Sequence, residues 1–407
     1  MRAPIPAEAP VTTATRPSRR KRARGSSLSL TEPDVTERPL RSGVGAGTGV
    51  RYSRTMADVQ FRWRRAEEEA SEAPALFDAD QLLDRHVGRG EFSGMEFLHV
   101  NARRIINQVP SASRVPFRWT INAYRGCSHA CSFCFARPTH EYLGLGIGED
   151  FERRIVVKVN AVERVAAEVA ARRWSGDHIA MGTNTDPYQR CEGKYHLTRG
   201  IVRVLGAAKN PFSILTKSTL ILRDLDVLSE AARHAEVRCN FSIGTLDQDV
   251  WKLTEPGTPH PRHRVEAVRR LNDAGIPCGV LVAPVLPGLS DGDEQLEEVV
   301  TACVEAGATS VSAIALHLRP GVRDHFLASL RVTRPDLARD YERRYRRAYL
   351  PATEQRALSA RVHRFAAGVP GREPVHRSHD MRGAEAPDHG HPAPARRPGS
   401  RQLGLGF

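Results

Sequence analysis

The sequence predicts an α/β protein: an incomplete (βα)6 TIM-like barrel with an N-terminal cap segment and disordered tails. Three observations carry this expectation. Apolar, β-branched runs take turns with stretches of helical spacing, and parallel neighbours need crossover connections, so repeated strand-then-helix units imply a parallel sheet with helices outside. A cysteine-rich loop follows directly on the first of the strand-like runs. Polar residues then follow the later runs, at the C-terminal strand ends where this architecture places function.

The first strand-like run spans 117–123, and others follow at 155–159, 178–182, 212–216, 237–243, 278–285 and 311–318. Helical spacing appears at 162–174, 198–208, 223–234, 263–274 and 292–306. Six such units fall short of the eight of a closed barrel. The expected division is a basic tail at 1–55, a cap at 56–116, the barrel core at 117–322, C-terminal helices packed on it at 323–367, and a second tail at 368–407. Within the cap, 77–87 alternates apolar and polar positions at helical spacing. Pro110 and Pro116 then interrupt regular structure, since proline fixes its own backbone and pushes its predecessor to extended conformations.

The chain has 407 residues, enough for a large core, and a formal charge of +13. Much of that charge is terminal: residues 1–55 hold eleven Arg or Lys against four Asp or Glu. Both tails are rich in Pro, Gly, Ser, Thr and Ala with little periodic hydrophobicity, the composition of disorder. The run Arg19-Arg20-Lys21-Arg22-Ala23-Arg24 reads as solvated charge rather than a nucleic-acid arm, and a translation start at Met56 would remove it. No apolar run approaches the roughly 20 residues that span a bilayer, and no secretory signal opens the chain, so a cytoplasmic protein is expected. Seven cysteines in a chain too large to need a disulfide framework fit a reducing compartment. Cys191, Cys239, Cys278 and Cys303 are scattered and read most simply as packing residues.

The chemistry centres on Tyr124-Arg125-Gly126-Cys127-Ser128-His129-Ala130-Cys131-Ser132-Phe133-Cys134-Phe135. Cys127, Cys131 and Cys134 stand at a Cys-x3-Cys-x2-Cys spacing. Three thiolates can hold three irons of a [4Fe–4S] cube and leave one iron without a protein ligand. Structural zinc wants four ligands and paired short spacings instead. His129 reads as a loop residue facing solvent or a cosubstrate rather than as a fourth ligand. Zinc hydrolysis is disfavoured because no paired His or His-Glu motif has ligand spacing.

This spacing, with Phe133 directly before the last cysteine, resembles the signature of radical S-adenosylmethionine enzymes. The strand ends extend the likeness: Leu215-Thr216-Lys217-Ser218, Asn240-Phe241-Ser242-Ile243, Glu255-Pro256-Gly257-Thr258, and Leu281-Val282-Ala283-Pro284-Val285-Leu286-Pro287-Gly288-Leu289. Over about residues 77–366 the chain resembles the branch containing spore photoproduct lyase and the "DNA repair photolyase" proteins, most closely an actinobacterial-type group whose reaction is uncharacterised.

The resemblance implies a [4Fe–4S] cluster whose open iron is chelated by S-adenosyl-L-methionine. It implies reductive cleavage of that cosubstrate to a 5′-deoxyadenosyl radical, hydrogen abstraction from a substrate, and an electron donor of flavodoxin or ferredoxin type. It places Lys217 toward the cosubstrate carboxylate, Ser242 at its methionyl or ribose end, Ala283 and its neighbours beside the adenine, and Phe133 among the cofactor contacts. Thr183 and Asn184, in Gly182-Thr183-Asn184-Thr185-Asp186-Pro187-Tyr188-Gln189, either hold the cosubstrate's amino group or the substrate, or form a plain Asn/Asp-Pro turn. Arg319 is a candidate anion anchor. Arg125 would stabilise the reduced cube or pair with a carboxylate.

Departures from the lyase leave the reaction open. That enzyme returns a hydrogen atom through a cysteine near the second strand end and through tyrosines adjoining the cluster cysteines; the corresponding places here are Thr183, Asn184, Phe133 and Phe135. Phenylalanine has no O–H to surrender. Cys191 is the candidate hydrogen donor, against the simpler reading of an ordinary loop thiol. Repair of thymine photoproducts is therefore not expected, and nucleic acid or a modified nucleotide is a candidate substrate. The alternative function is a nucleic-acid-binding protein, including one in DNA repair, that keeps a cluster for structure or redox sensing. Tyr341, Tyr345 and Tyr349, interleaved with Arg343, Arg344, Arg346 and Arg347, read as the buried face of a terminal helix rather than a base-stacking stripe.

Overall fold

The computed structural model describes residues 82–110, 113 and 115–370. The expected tails, apart from residues 368–370, lie outside these residues, as do Arg19–Arg24, Met56 and the first part of the cap. The described chain opens with β1 (Leu82–Val87), β2 (Glu96–Val100), β3 (Ile106–Gln108), β4 (Trp119–Ile121) and β5 (Tyr124–Arg125). Then come α1 (Glu149–Arg153), β6 (Arg154–Lys158), α2 (Ala161–Val169), β7 (Ile179–Met181), α3 (Glu192–Tyr195), α4 (Leu197–Ala207) and β8 (Phe212–Thr216). The second half holds α5 (Leu225–Ala232), β9 (Val237–Ser242), α6 (Gln248–Thr254), α7 (Pro261–Asp273), β10 (Cys278–Val285), α8 (Asp293–Glu305) and β11 (Val311–Ala315). Three helices close it: α9 (Val322–Thr333), α10 (Pro335–Arg344) and α11 (Ala352–Ala367).

The main sheet runs β3-β4-β7-β8-β9-β10-β11. Its last six strands are parallel, with registers such as Ile121↔Met181, Met181↔Ile214, Ile214↔Cys239 and Val280↔Val311, while β3 pairs antiparallel with β4. Helices cover the sheet, so its strands are buried on both faces and read as continuous apolar runs; six of the eight residues of β10 are buried. The helices are one-sided: α4 buries Leu197, Ile201, Val202 and Leu205. Gly206 lets α4 approach α5, where a Cβ would lie 2.8 Å from that of Ala231. No ladder joins β3 to β11 among the described residues, which is the incomplete barrel expected from six units.

Two assignments change. The described part of 77–87 is the strand β1, not helix, because Val87 and His86 pair across to Glu96 and Phe97 of β2, and this pairing overrides a short helical pattern. The run at 155–159 is not a barrel strand: β6 belongs to a second sheet, β1-β2-β6-β5, parallel to β2 and antiparallel to β5. The count of six survives because β4, from the 117–123 run, takes the first place in the parallel sheet.

Pro335 opens α10 at its first turn, where a missing N–H costs nothing, and so divides the C-terminal segment. Tyr341 and Tyr345 are fully buried and stacked, centroids 5.5 Å apart, and donate hydrogen bonds to Pro287 O (2.7 Å) and Leu316 O (3.1 Å). Both are buried, Tyr341 on α10 and Tyr345 at its C-cap, whereas Tyr349 lies further on and is 47% exposed. Removing the Tyr341 hydroxyl leaves a buried carbonyl unsatisfied. Tyr341→Phe is expected to cost about 1–2 kcal/mol in urea unfolding at an unchanged m value.

Candidate active site

The cysteine loop leaves β5 through Gly126, whose φ of +77° favours glycine; a Cβ there would come 2.8 Å from Phe151 O. Two neighbouring loops hold it. After β7, Thr185 Oγ1 and Gln189 Nε2 donate to Gly126 O (2.7 and 3.0 Å), and Gln189 Oε1 accepts from Ser128 N (3.0 Å). At the end of α6 Thr254 O accepts from Ser132 N (2.9 Å), and just beyond it Gly257 N donates to His129 O (3.1 Å). From within the chain's own next turn, the fully buried Arg137 donates to Cys131 O (3.0 Å) and Ile147 O (2.9 Å) and pairs with Glu152.

A Cβ on Gly257 would sit 2.2 Å from Ser128 O, so the two backbones touch with no room for a side chain. Gly257→Ala is expected to displace the cysteine loop and to lower iron bound after anaerobic reconstitution to a small fraction of wild type. Unchanged iron would show that the loop keeps its place without this contact.

His129 is buried rather than facing solvent, with 3% exposure, and its Nδ1 lies 3.3 Å from Asp186 Oδ2. Its position follows from the Gly257 contact, which fixes the His129 backbone against the α6–α7 loop. Burial opposes its charge, but Cys127 and Asp186 outweigh that and raise it to about 10. Asp186 also accepts from Thr216 Oγ1, Lys217 N and Tyr188 N at 2.7, 2.7 and 2.8 Å. Burial would raise its carboxyl, yet His129 and these donors hold it below the usual range.

Lys217, at the end of β8, gathers the strand ends. Its Nζ donates to Ser242 Oγ (2.8 Å) and Glu255 Oε1 (2.5 Å), lies 3.4 Å from Ala283 O, and stands 5.6 Å from the ring centre of Phe133. Ser242 Oγ donates to Ala283 O at 2.7 Å. The other oxygen of Glu255 accepts from Arg264 Nη1 (2.7 Å), and Arg264 is fully buried. Burial would push Glu255 up, but the two cations hold it down at about 2. Two cations against one carboxylate give this corner a net positive charge.

The structure therefore brings Lys217, Ser242, Phe133 and Ala283 together. Thr183 and Asn184 are half-buried on the loop after β7, but among the described residues no side-chain hydrogen bond joins them to Lys217, Ser242 or the cysteines. In that stretch Thr185, Asp186 and Gln189 make the contacts instead. Cys191 is fully buried in the main core at the start of α3, its thiol pushed well up by burial. Arg125 is half-buried, and desolvation draws its guanidinium down to about 10. Arg319 donates to the Tyr349 hydroxyl (3.3 Å), and Tyr349 stacks on His317, which in turn meets Phe135. Only Tyr349 of the three tyrosines presents an exposed ring, so the stripe offers no three-ring stacking surface. Arg264 escaped the sequence reading, and Glu255 and Asp186 stood in it only as members of quoted stretches, without roles; a buried carboxylate between two cations leaves no local spacing signal.

The thiols fit an iron–sulfur cube. Burial opposes the ionisation of two of them: it pushes Cys131 well up, with Glu255 next, and Cys134 up to about 11, with Cys127 next. Such thiolates need a compensating cation, which iron supplies. Among the described residues no three His, Cys, Asp or Glu side chains sit as ligands of a single ion; a cube takes one thiolate on each of three irons.

A parallel, incomplete α/β barrel bearing three thiols beyond the end of its first strand defines an iron–sulfur enzyme class. The family model of the radical SAM superfamily matches residues 121–300, and the chain belongs to that superfamily. It is an enzyme of the radical SAM class, with a [4Fe–4S] cluster and S-adenosylmethionine as cofactors. The chain is 43% identical over 281 residues to an uncharacterized protein of Mycobacterium tuberculosis, covering 69% of this chain and 83% of that one. It is 30% identical to an uncharacterized protein of Acidianus two-tailed virus, covering 52% and 71%. A solved spore photoproduct lyase complexed with dinucleoside spore photoproduct aligns with a TM-score of 0.48 and 20% identity, covering 66% and 78%, too distant to bear on the reaction. No helix among the described residues is long and apolar enough to cross a membrane.

Proposed function

We propose that Cys127, Cys131 and Cys134 each bind one iron of the cluster, and that Lys217, Ser242, Phe133 and Ala283 shape the place of S-adenosylmethionine beside the fourth. One observation carries this: a single ammonium, Lys217 Nζ, ties the ends of β8, β9 and β10 to the ring of Phe133, the residue before Cys134. When bound, the two cofactors supply reductive carbon–sulfur cleavage and hydrogen abstraction from a substrate. The chain's own residues orient and shield. Lys217 offers positive charge to a carboxylate, while Glu255 and Arg264 fix where that charge stands. Cys131 and Phe133 pack with Val250, Leu286 and Leu316, which keeps water from the inner side of the loop and strengthens each electrostatic contact there. A flavodoxin- or ferredoxin-type protein is the proposed electron donor.

Anaerobically reconstituted protein, given dithionite and S-adenosylmethionine, is expected to release 5′-deoxyadenosine. Lys217→Met should weaken S-adenosylmethionine binding at least about tenfold, the scale of one hydrogen bond to a charged group, with iron content unchanged. Protein holding a full cluster but releasing no 5′-deoxyadenosine would end this reading.

A further inference from the structure

We infer that the surface around Tyr349 docks the electron donor, a small acidic one-electron carrier holding a flavin or a [2Fe–2S] cluster. The inference rests on the proposed role of Cys134 as an iron ligand. Two segments meet at this surface: Leu318 N donates to Ala348 O (2.8 Å), and His317 and Tyr349 form an isolated antiparallel bridge. The bridge lines up three rings. Tyr349, 47% exposed, stacks on His317 with centroids 5.4 Å apart, and His317 meets Phe135 at 5.7 Å. Phe135 follows Cys134 directly in the chain, so packed rings run from solvent to a proposed iron ligand.

The charge around this path suits an acidic partner. Residues 317–323 and 341–349 together hold six arginines against one glutamate. Asp340 and Glu354 take up Arg343 and Arg344, but Arg346 and Arg347 are exposed and have no acidic partner among the described residues. Arg319 is tied to the path itself, donating to the Tyr349 hydroxyl (3.3 Å). Opposite charge steers and orients redox encounters, whose interfaces are small and transient. One electron leaves the reduced carrier and enters the cluster. No bond forms or breaks, and the rings are the packed medium between the two centres, neither oxidised nor reduced. Electron transfer slows steeply as the gap widens, so a packed path to the cluster is what marks a donor face. A face for single-stranded nucleic acid needs successive exposed rings for successive bases, and of the three tyrosines only Tyr349 is exposed.

The test is calorimetry on the anaerobically reconstituted protein, with a flavodoxin in one arm and a plant-type ferredoxin in the other. One of the two is expected to bind with an affinity that falls as salt rises. Arg346→Glu/Arg347→Glu should weaken it about tenfold, the scale of two exposed ion pairs, whereas Arg346→Lys/Arg347→Lys should keep most of it, with iron content unchanged in both. Tyr349→Leu is read at saturating carrier, where affinity no longer enters, and should slow stopped-flow reduction of the cluster several-fold. Unchanged affinity in the charge-reversed variant, no salt-dependent binding of either carrier, or an unchanged reduction rate in Tyr349→Leu overturns the inference. So does capture of a single-stranded thymidine oligonucleotide that is lost on charge reversal while carrier binding survives, which assigns the patch to nucleic acid. Dithionite reaches the cluster without docking. Release of 5′-deoxyadenosine driven by dithionite therefore tests the cofactor reading separately, and the two failures are distinguishable.

Discussion

Cys127→Ala, Cys131→Ala and Cys134→Ala are each expected to drop iron after anaerobic reconstitution from about four per chain to near zero and to take 5′-deoxyadenosine release to background. A cube with three protein ligands has none to spare: removing one leaves two irons open, and cluster binding needs ionised thiols, which desolvation opposes at Cys131 and Cys134. The other four cysteines supply the control. Cys239, Cys278 and Cys303 are buried in the main core among apolar neighbours, and Cys191 shares that core. Cys239→Ala and Cys303→Ala each remove one small buried sulfur, with an expected cost of roughly 1 kcal/mol and no loss of iron. Zinc in place of iron, or iron retained in any of the three loop variants, would contradict the assignment. The measurements are metal analysis and visible absorbance of anoxic protein.

The barrel was legible because parallel strands buried on both faces leave continuous apolar runs that composition alone marks, as in β8 and β10. Two strands misled for physical reasons. β1 earns its conformation from pairing with β2, from Val87↔Glu96 out to Leu82↔Val100, and its own six residues carry no trace of that partner. β6 carries the same apolar signature as a barrel strand, and only its ladder to β2 and β5 shows that it lies in another sheet. At the site, motif neighbours drew attention to the three cysteines and to Lys217 and Ser242 at strand ends, and the structure sets Lys217 against Ser242. What was missed acts at long range. Asp186 reaches His129, Thr216 and Lys217 from a separate loop, and Arg264 reaches Glu255 from α7. The sequence shows that such residues are polar, not that they are buried together.

Glu255→Leu is the substitution with the largest expected effect on stability. It strands Arg264, which has no exposed surface, and leaves Lys217, 15% exposed, without its carboxylate. Removing one partner of a buried ionic group costs about 3–5 kcal/mol because the remaining charge is uncompensated, and in a domain of this size that corresponds to a fall of roughly 10 °C in Tm. The pH dependence fixes the cause. Glu255 is held down at about 2 in the folded protein against 4.5 for the free group. A depressed carboxyl contributes stability that is complete above its unfolded value and is lost as pH falls toward the folded one. The gap between wild type and Glu255→Leu should therefore stay constant from about pH 6 to 8 and narrow steadily below about pH 4.5. Double replacement with Arg264→Leu should recover part of the loss, since it removes the stranded cation along with its partner. A gap of equal size at pH 3 and pH 7 in urea unfolding would show that Glu255 acts through packing, and Lys217 would then have to be held for the cosubstrate by Ser242 and Ala283 alone.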